Sequence, residues 1–290
     1  MPTSIDLVIP AFNVDGVIEH TLKRISEQQL PADCQLQVYV SDDASTDSTA
    51  SVLAGLKAQF DFLNIVSSTD NGGRGEAINR GVAAGSGSII VILDADCRYI
   101  SDDAVQEFVS DIEKGSDAVI GVVELQGDGF WPRYTNSVIT DRVGGAGEKG
   151  LVAFGTPNMA MRRSVYELLG GYAKAYTKYG FEDKDLLVRL ERQTDKVSIR
   201  PDIRASHDDD LNLKTVCHKF AESGQYSGPL FRSQYPDEYA KLPYARCDAA
   251  LGKLRRLLRP ASAVLRVLTK SFASLALALP LPFSLQRMSV

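Results

Sequence analysis

The stretch Val91-Ile92-Leu93-Asp94-Ala95-Asp96 runs from three apolar side chains straight into two carboxylates one residue apart. With Ile89 and Ile90 before it, the apolar run reads as a buried strand, and the acids stand at its mouth. Working outward, the same pattern recurs upstream. Residues 62–68 (FLNIVSS) form a strand, TDNGGRG a glycine-rich turn, and EAINRGVAAG a helix that stops at a glycine. Before that, LQVYV leads into the acidic loop SDDASTD, followed by a helix for which Ser45 or Thr46 is the expected N-cap. Earlier still, IDLVIPAF leads through Asn13 into a helix with Val17, Ile18, Leu22 and Ile25 on one side.

Strands alternating with helices of about ten residues imply right-handed βαβ units and a mostly parallel sheet flanked by helices, an α/β fold. Ligands of such sheets lie beyond the carboxyl ends of the strands, which brings Asn13, Asp42, Asp43, Asp94 and Asp96 to one edge. Farther along, DDAVQEFVSDIEKG is a helix, DAVIGVVEL a strand, and GDGFWPRY a loop carrying the single tryptophan, Trp131. GLVAFGTPNMAMRRSVYELLGGY reads as a strand pair leading into a short helix, and GFEDKDLLVRLERQ as a loop and a helix with an acidic first turn.

The chain has 290 residues, 44% hydrophobic and 24% charged, with a formal net charge of −5, which excludes a general nucleic-acid binder with its basic footprint. Cys34, Cys97, Cys217 and Cys247 lie far apart and the opening residues carry no secretory h-region, so the expectation is a cytoplasmic protein with reduced thiols. No acidic residue follows Asp248, whereas Lys253, Arg255, Arg256, Arg259, Arg266, Lys270 and Arg287 do. The uncharged stretch from Ser271 to Leu285 contains Pro280 and Pro282 and falls short of the roughly 20 residues that span a bilayer. A basic amphipathic segment lying on an anionic membrane surface is expected, with a terminal helix packed on the domain as the alternative.

Two carboxylates at a strand end can approach a hard divalent cation that keeps positions free for phosphate oxygens. The chain has neither a P-loop nor the dinucleotide fingerprint GxGxxG after its first strand. A carboxylate can still accept the imide N–H of uracil, and a glycine-rich turn can bring backbone close to ribose and phosphate.

DLVIPAFN, VSDDASTDST, NGGRGEAINRG, VILDADC, and GGY followed by GFEDKDLLVRL together resemble the GT-A-fold glycosyltransferases of family 2. The resemblance covers Ile5 to Arg192 and implies a nucleotide-diphospho-sugar transferase fold. It makes 1–100 the nucleotide-sugar half, 101–235 the acceptor half and 236–290 a C-terminal helical extension. It further implies an inverting enzyme that takes a sugar from a UDP-sugar, aided by Mn2+ or Mg2+, and the basic, apolar tail adds the expectation of a lipid-linked or polysaccharide acceptor at the inner membrane face. Asp43 with Asp42 would bind the base, and Asn71 to Arg74, Gly73 included, would lie along uridine and diphosphate. Pro10, Ala11, Asn13 and Ala95 would complete the donor contacts. Asp96 would ligate the metal, Asp94 the ribose or metal-bound water, and His207 would complete the metal site.

Asp183, in preference to Glu182, would be the catalytic base. Trp131 and Asn158 would meet the acceptor. Other readings remain open: Asp183 as a dipole-stabilising acid, His207 as a core histidine, Trp131 as cover for the sheet, and Asn158 as a turn residue. Ala44 stands where the family usually has glycine, and Arg98 just after the acids is a second departure. A non-catalytic scaffold of the same fold and a sugar-phosphate nucleotidyltransferase are the rival functions; the latter lacks its glycine-rich, Arg- and Lys-containing loop in PAFNVDG.

Overall fold

A computed structural model describes residues 3–207, 211–248, 271, 273–278 and 283–284. The basic part of the C-terminal segment, expected at a membrane, lies outside the described residues. No helix among them is long and apolar enough to cross a membrane.

The chain opens with β1 (Thr3–Ala11), α1 (Ile18–Ser26), β2 (Cys34–Asp42), α2 (Thr49–Lys57), β3 (Leu63–Ser67), α3 (Arg74–Ala84) and β4 (Ile89–Leu93). β5 (Cys97–Tyr99), α4 (Ala104–Glu113), β6 (Ala118–Leu125), α5 (Phe130–Gly144) and α6 (Ala146–Lys149) follow. Then come β7 (Asn158–Arg162), α7 (Arg163–Leu169), α8 (Glu182–Gln193), β8 (Val197–His207), α9 (Leu213–Gln225), α10 (Ser227–Gln234), α11 (Pro236–Lys241) and α12 (Pro243–Cys247).

One eight-stranded sheet runs in the order β3-β2-β1-β4-β7-β6-β8-β5. Pairings from β3 to β4 are parallel, as is β6 with β8, while β7 is antiparallel to both its neighbours and β5 is antiparallel to β8. The sheet is therefore mixed on one side of β4. All five residues of β4 are buried, and its side chains alternate between two cores. Ile89, Val91 and Leu93 join the layer beneath α1, α2 and α4, whereas Ile90 and Ile92 join the layer beneath α3, α7 and α8. A strand covered on both faces is a rigid post, which explains how its mouth can hold acids in fixed positions.

Three local expectations are corrected. Helix α2 begins at Thr49 after Ser48, so neither Ser45 nor Thr46 caps it; Ser45 N–H donates to Asp42 and Thr46 N–H to Asn13 in the loop after β1. Trp131 lies in the first turn of α5, where Pro132 is tolerated because first-turn N–H groups have no intrahelical partner. The anticipated strand pair before α7 is a 3-10 turn, Leu151–Ala153, and the single strand β7.

Candidate active site

A cleft of about 420 Å³ opens at the carboxyl ends of β1, β2 and β4. Pro10, Ala11, Asp43, Asn71, Gly73, Arg74, Asp94, Ala95, Asp96 and Glu182 line it. Asn13 and Asp42 do not, because they hold the frame. The Asn13 amide oxygen accepts from Thr46 and Asp47 backbone N–H, and Asp42 Oδ1 accepts from Ser45 N–H at 3.0 Å. Among the described residues the non-glycine positive φ angles are Asn13 at 55°, Ala44 at 62° and Phe181 at 71°, each beside a loop of this cleft. Ala44 thus occupies a conformation that suits glycine, which gives its departure from the family pattern a physical meaning.

Asp43 is 3% exposed and acts as the hub of the donor side. Its Oδ1 accepts from Gly72 N–H at 2.9 Å and from Arg80, and its Oδ2 from Gly73 N–H at 2.8 Å. Gly73, at φ 85°, packs against the Thr177 backbone, where a Cβ would lie 3.3 Å from the carbonyl oxygen. The glycine turn is thereby clamped between a carboxylate and the 176–179 loop.

Arg74 opens α3 and reaches across the cleft to Asp94, Nη2 to Oδ1 at 2.7 Å, and to the carbonyl and hydroxyl oxygens of Thr156. Glu182 Oε1 stands 3.8 Å from Arg74 Nη1, and Glu182 Oε2 is buried without a hydrogen-bond partner. Burial, and then the charge of Asp183, push the Glu182 carboxyl up to about 7, against the pull of Arg74. Asp183 does not line the cleft. It accepts from Lys184 N–H at 2.8 Å, and its other oxygen lies where a Cβ on Gly155 would intrude. Tyr179 lines the cleft together with Glu182, whose carboxylate is the one that faces Arg74. Lys184 is buried and ties this helix start to Val152 O and Phe154 O at 3.0 and 3.2 Å; burial lowers its pKa.

His207 ends β8 and pairs in register with Cys97 of β5, so its Nε2 comes to 3.1 Å from Asp96 Oδ2. Burial alone would raise Asp96, but the hydrogen bond and charge of His207 hold it below the usual carboxylate range. Ligand atoms of Asp96, Cys97 and His207 lie within 4.8 Å of one another. Burial, with Asp94 and Asp96, pushes the Cys97 thiol well up, so it acts as a donor toward Asp96 rather than a thiolate ligand. One carboxylate and one imidazole beside an open cleft fit a divalent cation such as Mn2+ better than the all-oxygen shell that Mg2+ favours.

Asn158 does not reach the cleft, which corrects its assignment to the acceptor. It is fully buried in β7 and donates to Val122 O and Ile203 O, both at 3.0 Å, bridging β6 and β8. Trp131 does not line the cleft; it lines a second, smaller groove. Sequence reading missed Arg80, and it missed Tyr176, Thr177, Lys178, Tyr179 and Glu222 in the cleft wall. Only the tyrosine-rich run between GGY and FED hinted at the loop, since it has no periodicity to place it.

The family description "Glycosyl transferase family 2" matches residues 6–170, more than half of the chain, so the protein belongs to that family of glycosyltransferases. A description reading "N-terminal domain of galactosyltransferase" matches 152–211. The chain is 28% identical over 198 residues to the probable glycosyltransferase YdaM of Bacillus subtilis strain 168, covering 64% of this chain and 46% of that one. It is 32% identical over 100 residues to a beta-monoglucosyldiacylglycerol synthase of Nostoc sp. strain PCC 7120, covering 34% and 21%. The chain thus spans less than half the length of these relatives. By structure it is similar to the mannosyltransferase PcManGT of Pyrobaculum calidifontis, solved with GDP-Man and Mn2+, at TM-score 0.63 and 22% identity over 98% of this chain and 84% of that one. That likeness establishes the GT-A architecture.

Proposed function

We propose that the protein transfers a sugar from a UDP-sugar, with inversion and with help from a divalent cation, to a lipid-linked or saccharide acceptor at the cytoplasmic face of a membrane. The observation that carries this reading is the convergence of the Asp43-clamped glycine turn, the Arg74–Asp94 pair, Asp96 with its His207 partner, and Glu182 on one cleft, with Asp183 next to Glu182 in the first turn of α8.

Hydrogen-bond accounting at Asp43 supports uracil over guanine. A carboxylate has about four lone-pair sites; two on Oδ1 and one on Oδ2 are filled by Gly72, Arg80 and Gly73. The remaining acceptor suits the single imide N–H of uracil, whereas guanine presents two adjacent donors. Asp96 and His207 would hold the cation, which supplies charge neutralisation for the departing diphosphate. Arg74 stays on Asp94 and orients it toward the ribose, with Lys178 at the mouth as a further cation for phosphate.

In the transfer, the acceptor oxygen forms a bond to the anomeric carbon as the bond from that carbon to the diphosphate oxygen breaks. The electron pair leaves with the nucleoside diphosphate. Asp183 takes the acceptor proton. Glu182, facing Arg74, is the second carboxyl and sets the field around the first. The name of the Nostoc relative supports a lipid acceptor.

Calorimetric titration with UDP, a panel of UDP-sugars and GDP-mannose, with and without Mn2+, tests the reading. Cation-dependent binding of uridine nucleotides is expected, and Asp183→Asn should keep that binding while turnover falls by at least about 100-fold. Absence of nucleotide binding under every condition would leave the scaffold alternative in its place.

A further inference from the structure

A second groove of about 180 Å³ lies beside the cleft and shares one wall residue with it, Tyr179. Trp131 and Tyr134 from the first turns of α5 face Val216 and Phe220 of α9 across it. Phe220 is 52% exposed and Tyr179 51%, two large rings open to water on one groove. The wall is built almost wholly of ring and aliphatic carbon. A sugar-binding platform needs a ring plus several fixed donors and acceptors for hydroxyls, and here Lys219 is the charged group, with its Nζ 5.6 Å from the Tyr179 ring centre. Lys219 stands over Tyr179, the residue that groove and cleft share.

The described end of the C-terminal segment meets the same helix. Phe283 packs on Phe130 at 5.8 Å between ring centres and lies 4.9 Å beneath the Arg133 guanidinium. Phe130 in turn packs edge-on against Trp131 at 5.2 Å. Ring contacts therefore run from Phe283 through Phe130 to Trp131 in the wall of the groove.

We infer that this groove seats the apolar chain of an amphiphilic, lipid-like acceptor, whose hydroxyl headgroup passes Tyr179 into the cleft at the start of α8. The inference rests on the donor reading above and names the acceptor's chemical class. Lys219 stands where a headgroup phosphate or hydroxyl would cross from groove to cleft.

The single tryptophan lies in the groove wall, so its emission reports occupancy without knowledge of the natural acceptor. The full chain is titrated with n-alkyl β-glucosides of increasing chain length, each below its micellar concentration, and with glucose. Expected is a saturable blue shift for the alkyl glucosides, none for glucose, and affinity rising by about fourfold per added methylene until the groove is full. Phe220→Ser should reduce that rise per methylene at least twofold while uridine nucleotide affinity stays the same. A flat response at every chain length, an equal response to glucose, or an unchanged rise per methylene in Phe220→Ser overturns the inference. Nucleotide binding measured on the same preparation separates the two claims: loss of it alone sinks the donor reading, and loss of the alkyl response alone sinks this one.

Discussion

Glu182 sits where two opposing demands meet. Burial and Asp183 favour its neutral form, and Arg74 favours its charge, with the balance at about 7. A folded carboxyl raised above its ordinary 4.5 holds a proton that the unfolded chain has released, so it favours folding at low pH and loses that contribution as pH rises to about 7. In buffer without metal or nucleotide, the wild-type Tm is expected to fall between pH 4.5 and 7 relative to Glu182→Gln, and to run parallel to it above that window; differential scanning calorimetry across the range checks this. Ala44 supplies a second test. Its left-handed backbone costs about 1 kcal/mol, so Ala44→Gly should raise stability in denaturant titrations by about that amount, and a loss of stability would contradict the strain argument.

At the scale of elements, what matters is how closely helices and strands approach. Helix α3 lies so near β1 that a Cβ on Gly81 would come within 2.5 Å of Val8 Cγ1. Overpacking of this kind costs about 1–3 kcal/mol, and Gly81→Val should lower the urea midpoint while shifting the Arg74 end of the helix and weakening nucleotide binding. Strand β7 carries the opposite device. Asn158→Ala would strand the carbonyls of Val122 and Ile203, each worth about 1–3 kcal/mol when buried without a donor. A lower Tm with acceptor KM unchanged is the expected result. A rise in KM with Tm unaltered would restore Asn158 to the acceptor site.

At the scale of the whole molecule charge is unevenly placed: the acidic body carries the cleft, and the acid-free chain after Asp248 carries seven basic residues and the longest uncharged run. We expect the full chain to bind anionic liposomes with an affinity that falls as salt rises, and the chain cut after Asp248 to lose most of it, as read by vesicle co-sedimentation. Equal binding by both forms would remove the membrane from the proposal.

How much of this was legible beforehand depends on the kind of signal. The sequence by itself determined the strand-turn-helix rhythm, the acids Asp43, Asp94 and Asp96 at strand mouths, and the acidic start of α8, because periodicity and turn chemistry act within a few neighbouring residues. Tertiary structure alone decided that β7 turns antiparallel, that His207 meets Asp96 from far along the chain, and that Arg80 closes on Asp43. It also moved Asn158 into the core and Trp131 to a groove. Those outcomes depend on packing between elements distant in the chain, where a side chain's partner is set by which faces must be buried together, and no local pattern carries that information.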